Sequence, residues 1–335
     1  MHLDYRREIL RYGLPARLSG ELVQLFEGKN GLPARRRRTA TGVSYRTAYR
    51  RFVNLCAAFR DLHALGYRLQ SVGNLREEHV RSLVRHWEGK GEAAGTIGNK
   101  LSYLRALCAW AGKRGMIKEA AAYAADPRAM KRVLAAREDK SWEGAGVDPL
   151  EVIGAVARMD RAVALQLELQ WAFGLRVEES FLLRPGHALA EALGRYAIRV
   201  EHGTKGGRPR DVGLDEVVQL EVLSRAARHA ASPSSTLIPR RYTLARWRNR
   251  YYYVVRRFGL ARRGGLKVTS HGLRHQYLQR KFEEITGRPA PVKGGSGHDP
   301  ALYELAMRIV VERAGHSDKY KAGAYLGAAR AQSPR

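Results

Sequence analysis

Apolar residues recur every three or four positions along most of this chain and alternate strictly over only one short stretch. From Tyr45 to Leu65 they fall at Tyr49, Phe52, Val53, Leu55, Cys56 and Phe59, one side of a helix. A second, shorter helix is predicted over Glu77–Trp87. The clearest runs from Thr96 to Ala111, with Ile97, Leu101, Leu104, Leu107 and Cys108 at helical spacing and Thr96 as its N-cap. Leu150–Met159, Ala162–Phe173 and Val177–Leu183 also read as helices. Asp148-Pro149-Leu150-Glu151 supplies a capping acid, a first-turn proline and a glutamate, a firm helix start. Gly174 suits a helix end. Arg195–Glu201 alternates as a strand, Gly203-Thr204-Lys205-Gly206-Gly207 is a turn, and Arg210–Leu214 returns. Thr243–Phe258 is a basic aromatic helix, and the remainder is helical apart from Gly287–Pro291 and Gly294–Gly297. The expectation is a mainly α protein with one small antiparallel β-hairpin.

Breakers divide the pattern. Residues 1–43 are expected as a basic N-terminal arm, because Arg35, Arg36, Arg37 and Arg38 follow Gly31-Leu32-Pro33, a poor setting for a helix. Residues 44–125 read as a helical domain and 126–147 as a linker, opened by Asp126-Pro127 and closed by Gly144-Ala145-Gly146. A second domain is expected over 148–335.

Composition changes this picture mainly through charge. The 335 residues are 44% hydrophobic, enough for two cores. Sixty Lys and Arg against 32 Asp and Glu give a formal net charge of +28. Such an excess disfavours a compact state unless a polyanion neutralises it, and nucleic acid is the usual partner. A basic structural protein of ribosomal type would share this balance. Arg35–Arg38, Arg46, Arg50, Lys100, Arg105, Arg246, Arg248 and Arg250 are the candidate DNA contacts. The two cysteines, Cys56 and Cys108, lie in apolar helical contexts. They imply neither a disulfide framework nor a zinc site, which points to a reducing cytoplasm. No apolar run reaches the roughly 20 residues needed to cross a bilayer. No metal and no cofactor are expected.

The candidate chemistry lies late in the chain, where basic clusters and a tyrosine occur without paired carboxylates or metal-ligand spacing. Gly174-Leu175-Arg176-Val177-Glu178-Glu179 resembles the first arginine motif of tyrosine recombinases, the phage-type integrases. His271-Gly272-Leu273-Arg274-His275 is similar to their His-x-Leu-Arg-His motif. Ala314-Gly315-His316, followed nine residues later by Tyr325, resembles their Leu-Gly-His…Tyr motif. Lys205, in its glycine-rich turn, matches their hairpin lysine, and the segment from Thr96 to Ile117 resembles the last helix of their core-binding domain. The resemblance covers about residues 44–325.

It implies a two-domain DNA clamp, a helical core-binding domain plus a catalytic domain. The activity implied is strand cutting and rejoining through a 3′-phosphotyrosine, without metal or ATP. Tyr325 would be the nucleophile, with Tyr320 a rival four residues past His316. Arg176 and Arg274 would hold the phosphate oxygens, and Lys205 would protonate the leaving 5′-oxygen. His271 would take the phenol proton. His316 would bond a phosphate oxygen or orient the tyrosine. Glu179 would brace Arg176, with His275 in support. The partners implied are double-stranded DNA with inverted half-sites, a homodimer on each site, a homotetramer in synapsis and accessory DNA-bending proteins, in the bacterial cytoplasm at the nucleoid. Arg274 and His316 stand 42 positions apart, roughly twice the family's usual interval, with the excess expected in a Gly/Pro loop at 286–298 as in a subgroup of mobile-element integrases. Only ten residues follow Tyr325, so exchange of a C-terminal helix between protomers stays open. A type IB topoisomerase and a non-catalytic DNA binder on the same fold are the alternatives.

Overall fold

The computed structural model describes residues 3–32, 42–131, 134–204, 207–316 and 318–328. The chain divides into two compact units, 1–132 and 133–335.

In the first unit the described helices are α1 (Tyr5–Ile9), α2 (Ala16–Lys29), α3 (Tyr45–Ala64), α4 (Glu77–Gly89) and α5 (Ala94–Trp110). Each turns an apolar stripe inward: Leu18, Leu22 and Phe26 from α2, Phe52, Leu55 and Phe59 from α3, Leu83 and Trp87 from α4, Leu101 and Leu104 from α5. The rings of Tyr5, Phe26 and Phe52 pack with centroids 5.1–5.4 Å apart. Arg51 is buried; it donates to the carbonyls of Asn30 (3.1 Å) and Leu32 (3.2 Å) and lies over the Trp110 ring.

These contacts revise the expected arm. Residues 5–12 and 16–29 are helical and belong to the core of this unit, because α2 carries its own apolar stripe among its charges. The arginine run Arg35–Arg38 lies outside the described residues. The α5 N-cap also differs: the helix starts at Ala94, because the amides of Thr96 and Ile97 both donate to the Ala93 carbonyl.

The second unit contains α6 (Pro149–Met159), α7 (Arg161–Phe173), α8 (Val177–Leu182) and α9 (Pro185–Arg195). Next come β1 (Ala197–Val200) and β2 (Arg210–Gly213), then α10 (Val217–His229), α11 (Leu244–Arg257), α12 (Ser270–Thr286), α13 (Pro300–Arg313) and α14 (Gly323–Leu326). The strands pair antiparallel, from Ala197 opposite Gly213 to Val200 opposite Arg210. Helix α7 is buried almost all round and packs against α6, α8, α10 and α12. One cluster gathers Leu169, Phe173, Val200, Val212, Leu278 and Phe282; a second gathers Trp142, Phe181, Trp247, Tyr251 and Leu273.

Asp148 caps α6 as expected, accepting from the amides of Leu150 and Glu151. The expected linker 126–147 reaches into this unit. Trp142 is buried, and its indole N–H donates to the Thr269 carbonyl at 2.8 Å. A tryptophan removes too much apolar surface from water to stay in a solvated tether. Helices α9 and α10 were not marked by the pattern; the buried positions of α9 include small residues such as Ala188 and Ala192, which give a weak apolar signal. Among the described residues no helix is long and apolar enough to cross a membrane.

Candidate active site

The site is built where three chain reversals meet. Helix α7 ends at Gly174, whose φ of +60° is open to glycine; a Cβ there would also come within 2.3 Å of the Tyr277 ring. Two residues on, Arg176 is the N-cap of α8, so its side chain is aimed by a helix start. Its backbone N–H donates to Glu179 Oε2 at 2.7 Å, and its Nη1 to Glu179 Oε1 at 2.6 Å. Arg210, the first residue of β2, places Nη1 and Nη2 each 2.7 Å from the same two oxygens. Burial alone would raise the Glu179 pKa, but the Arg210 bonds and the charges of Arg210, Arg176 and Arg274 outweigh it and hold the carboxyl at about 2. One buried anion therefore organises guanidiniums from three elements.

Helix α12 contributes His271, Arg274 and His275, spaced to lie on one face. Arg274 is fully buried. Its guanidinium donates to the carbonyls of Gly174 and Ala314 and, through Nε, to the Tyr325 hydroxyl at 3.2 Å. Burial pulls its pKa down to about 10, so it stays cationic near neutrality. His275 is buried, its Nδ1 without a hydrogen-bond partner among the described residues. Burial, then the neighbouring His271, holds its pKa at about 3. His271 keeps an exposed edge. Desolvation on its packed side, then Arg274 and Arg176, lowers its pKa towards about 4, and the exposed edge tempers that shift. The ring is neutral at pH 7 with or without it.

The end of α13 closes the site. The Ala314 carbonyl accepts from both Arg176 Nη2 (2.8 Å) and Arg274 Nη2. His316 follows, half-buried, with Nε2 3.3 Å from the Tyr325 hydroxyl. Tyr325 is 5% exposed, on the short α14. The centroid of its ring lies 4.9 Å from that of His275, 6.0 Å from His316 and 6.3 Å from His271. A cavity of about 300 Å³ opens beside His316, bordered by Arg199, Arg208 and Arg210.

Arg176, Glu179, His271, Arg274, His275, His316 and Tyr325 are thus brought together across 150 residues of sequence. Lys205 lies outside the described residues, as does the side chain of Tyr320. The hydroxyl of Tyr325 has His316 rather than His271 in hydrogen-bond reach. Arg210 was missed: read alone, it was one strand arginine in a very basic chain. Among the described residues no group of three His, Cys, Asp or Glu could hold a metal ion.

The expected DNA contacts divide. Arg46 and Arg50 are exposed on α3, beside the stacked and exposed Tyr45 and Tyr49. Arg246 is exposed on α11. Lys100 instead pairs with Glu92 at 2.5 Å and sits over Trp87, while Arg105 donates to the carbonyls of Ile117 and Lys118. Arg248 pairs with Glu178 (2.6 Å) and Arg250 with Asp160 (2.9 Å). These four meet acceptors within the chain, nearby in sequence for Lys100 and Arg105 and distant for Arg248 and Arg250. Asn249, Tyr252, Tyr253, Arg256 and Arg257 border a cavity of about 400 Å³ on the outer side of α11.

Comparison with known proteins agrees with this geometry. A family model described as Integrase matches residues 147–280, and one described as Phage integrase, N-terminal, matches residues 35–117. Among solved structures, a lambda integrase dimer bound to a core site is similar over 95% of this chain and 98% of its own, with a TM-score of 0.58 at 15% identity. The Tn1549 transposon integrase with transposon right end DNA gives 0.57 at 13% identity, over 92% and 95% of the two chains. The XerH site-specific recombinase on its difH substrate gives 0.53 at 16% identity, over 97% and 92%. Identities this low speak for the fold. No curated protein sequence matches the chain. Two integrase models matched in order, and a mainly helical fold with one hairpin shared with these enzymes, place the chain in the tyrosine recombinase family, the phage-type integrases.

Proposed function

We propose that this chain is a site-specific DNA recombinase of a mobile element, cutting and rejoining strands with Tyr325 as nucleophile. The observation that supports it most is the Tyr325 hydroxyl within hydrogen-bond reach of both Arg274 (3.2 Å) and His316 (3.3 Å). A phenol of ordinary pKa near 10 is a weak nucleophile. Here it lies between the Arg274 guanidinium and an imidazole placed to take its proton.

In the cutting step the Tyr325 oxygen bonds to phosphorus and the bond from phosphorus to the 5′-oxygen breaks. The phosphodiester is kept as a 3′-phosphotyrosine, and the reverse step reseals DNA without an outside energy source. Negative charge grows on the non-bridging oxygens during attack. Arg274 has five N–H groups; three are engaged among the described residues, and the others are the candidates for phosphate. Arg176, held in place by Glu179, supplies the second guanidinium. Lys205 gives the 5′-oxygen its proton. The phenol proton has two acceptors: His316 holds the distance, and His271 holds a neutral ring at working pH.

The substrate is double-stranded DNA with inverted half-sites, bound by two copies and synapsed by four. The charge of +28 suits that polyanion, and lambda integrase has been seen as a dimer on a core site and as a tetramer on a Holliday junction. The enzyme would act in the bacterial cytoplasm, at the nucleoid.

The test is incubation with nicked suicide duplexes spanning the ends of the neighbouring element. A covalent protein–DNA complex, formed in EDTA and lost in Tyr325→Phe, is the expected result. A plasmid that is relaxed without any recombination between two sites would point to a topoisomerase instead.

A further inference from the structure

We propose that Arg210 is a positioning residue that sets the active-site guanidinium of Arg176 through the carboxylate they share, Glu179. The inference rests on the strand-cutting reading of this site and extends it to a residue outside the recognised motifs.

Arg210 is buried at 6% exposure and all three of its guanidinium nitrogens are spent inside the protein. Nη1 and Nη2 each reach one Glu179 oxygen at 2.7 Å, and Nε donates to the Arg313 carbonyl at 2.9 Å. It is therefore not placed to hold DNA, despite the basic surroundings. Each Glu179 oxygen takes one bond from Arg210 and one from Arg176. The terminal torsion of a glutamate is soft. A bidentate fork on both oxygens fixes its plane, and that plane in turn fixes where Arg176 points.

The surrounding backbone is shaped around this contact. Gly315, next to His316, rests on the Arg210 stem; a Cβ there would stand 3.0 Å from Cδ. Gly203, at the other foot of the hairpin turn, has a φ of +74°, and a Cβ on it would lie 2.6 Å from the backbone of Glu178. Both feet of the turn thus press on the start of α8, one through glycine and one through Arg210. One side chain joins the hairpin, the Arg176 cap and the residues preceding His316.

A brace that only supports the fold would change stability. A brace that sets Arg176 through an ionised Glu179 must also change the pH at which the site fails. Wild type, Arg210→Gln, Arg210→Lys, Glu179→Gln and the Arg210→Gln/Glu179→Gln pair would be compared in single-turnover cleavage of a suicide duplex at saturating DNA, from pH 4.5 to 8. Folding is checked by circular dichroism melting and DNA affinity by titration.

The expected result for Arg210→Gln is at least a tenfold slower cleavage, with affinity within about twofold and an acid limb that rises into the tested range, because burial raises the Glu179 carboxyl once the Arg210 bonds and charge are gone. Arg210→Lys, which keeps a charge, should recover part of both. In the Glu179→Gln background, adding Arg210→Gln should cost less than about twofold, because the two act as one unit. Should Arg210→Gln fail to fold, Arg210→Lys carries the test by its acid limb. A folded Arg210 variant with an unmoved acid limb, or two losses that multiply in the pair, overturns the proposal. A wild-type protein that forms no adduct would instead sink the strand-cutting reading itself.

Discussion

At the scale of single residues, the site is an economy of one anion among cations. Glu179 is buried among Arg176, Arg210 and Arg274, the last at 3.9 Å, leaving an excess of positive charge facing Tyr325. The sequence showed the motif residues because each occurs at a telling spacing. It could not show Arg210, whose partner lies 31 positions away, nor that the Ala314 carbonyl joins both motif arginines. Buried ionisable groups also set an acid limit on the fold. The His275 ring is held at about 3, below its ordinary 6.5, so between those values the unfolded chain binds a proton that the folded one refuses. Its contribution is full above pH 6.5 and is lost as pH falls towards 3. Glu179, held at about 2, adds a second loss below pH 4.5. Melting temperature should therefore fall steadily from pH 7 to pH 4, and His275→Gln should flatten that fall. An equally steep fall in the variant would remove His275 from the account.

At the scale of elements, helical stripes were legible wherever large apolar residues repeat, as in α3 and α5. Strand alternation marked β1, and the glycine-rich turn after it marked β2 as its return. What escaped were elements whose burial depends on partners. α9 buries small alanines, and α2 hides Leu18, Leu22 and Phe26 within a stretch that reads as charged. Trp142 gave no periodic signal, because it enters its core as a single side chain from irregular backbone. These differences carry a stability prediction. Phe26→Ala should destabilise the first unit by about 3–5 kcal/mol in urea unfolding, the usual cost of deleting a core aromatic. A loss under about 1 kcal/mol would return residues 5–29 to the status of an arm. The same core contacts mean that deleting residues 1–32 should lower the melting temperature of the protein, beyond any effect on DNA binding.

At the scale of the whole molecule, charge decides what the protein can approach. The excess of cations was plain in the composition, but not which of them are available. Folding spends Lys100, Arg105, Arg248 and Arg250 on internal acceptors. It leaves Arg256 and Arg257 exposed on α11 beside Tyr252 and Tyr253. The logarithm of DNA affinity falls linearly with the logarithm of salt, by about 0.9 per phosphate contact. Arg256→Ser and Arg257→Ser should each lower that slope by up to one contact, whereas Arg250→Ser should leave it unchanged. A slope that drops for Arg250→Ser and not for the other two would reverse this assignment of the surface.

In the proposed reaction Tyr325 attacks a phosphate held by Arg176 and Arg274. The most direct test is peptide mapping of the covalent complex trapped on a suicide duplex in EDTA. The expected result is a single DNA-linked peptide carrying the 3′-phosphate on Tyr325, and no complex from Tyr325→Phe despite near-normal DNA affinity. A complex that survives Tyr325→Phe, or a phosphate mapped to Tyr320, would contradict it.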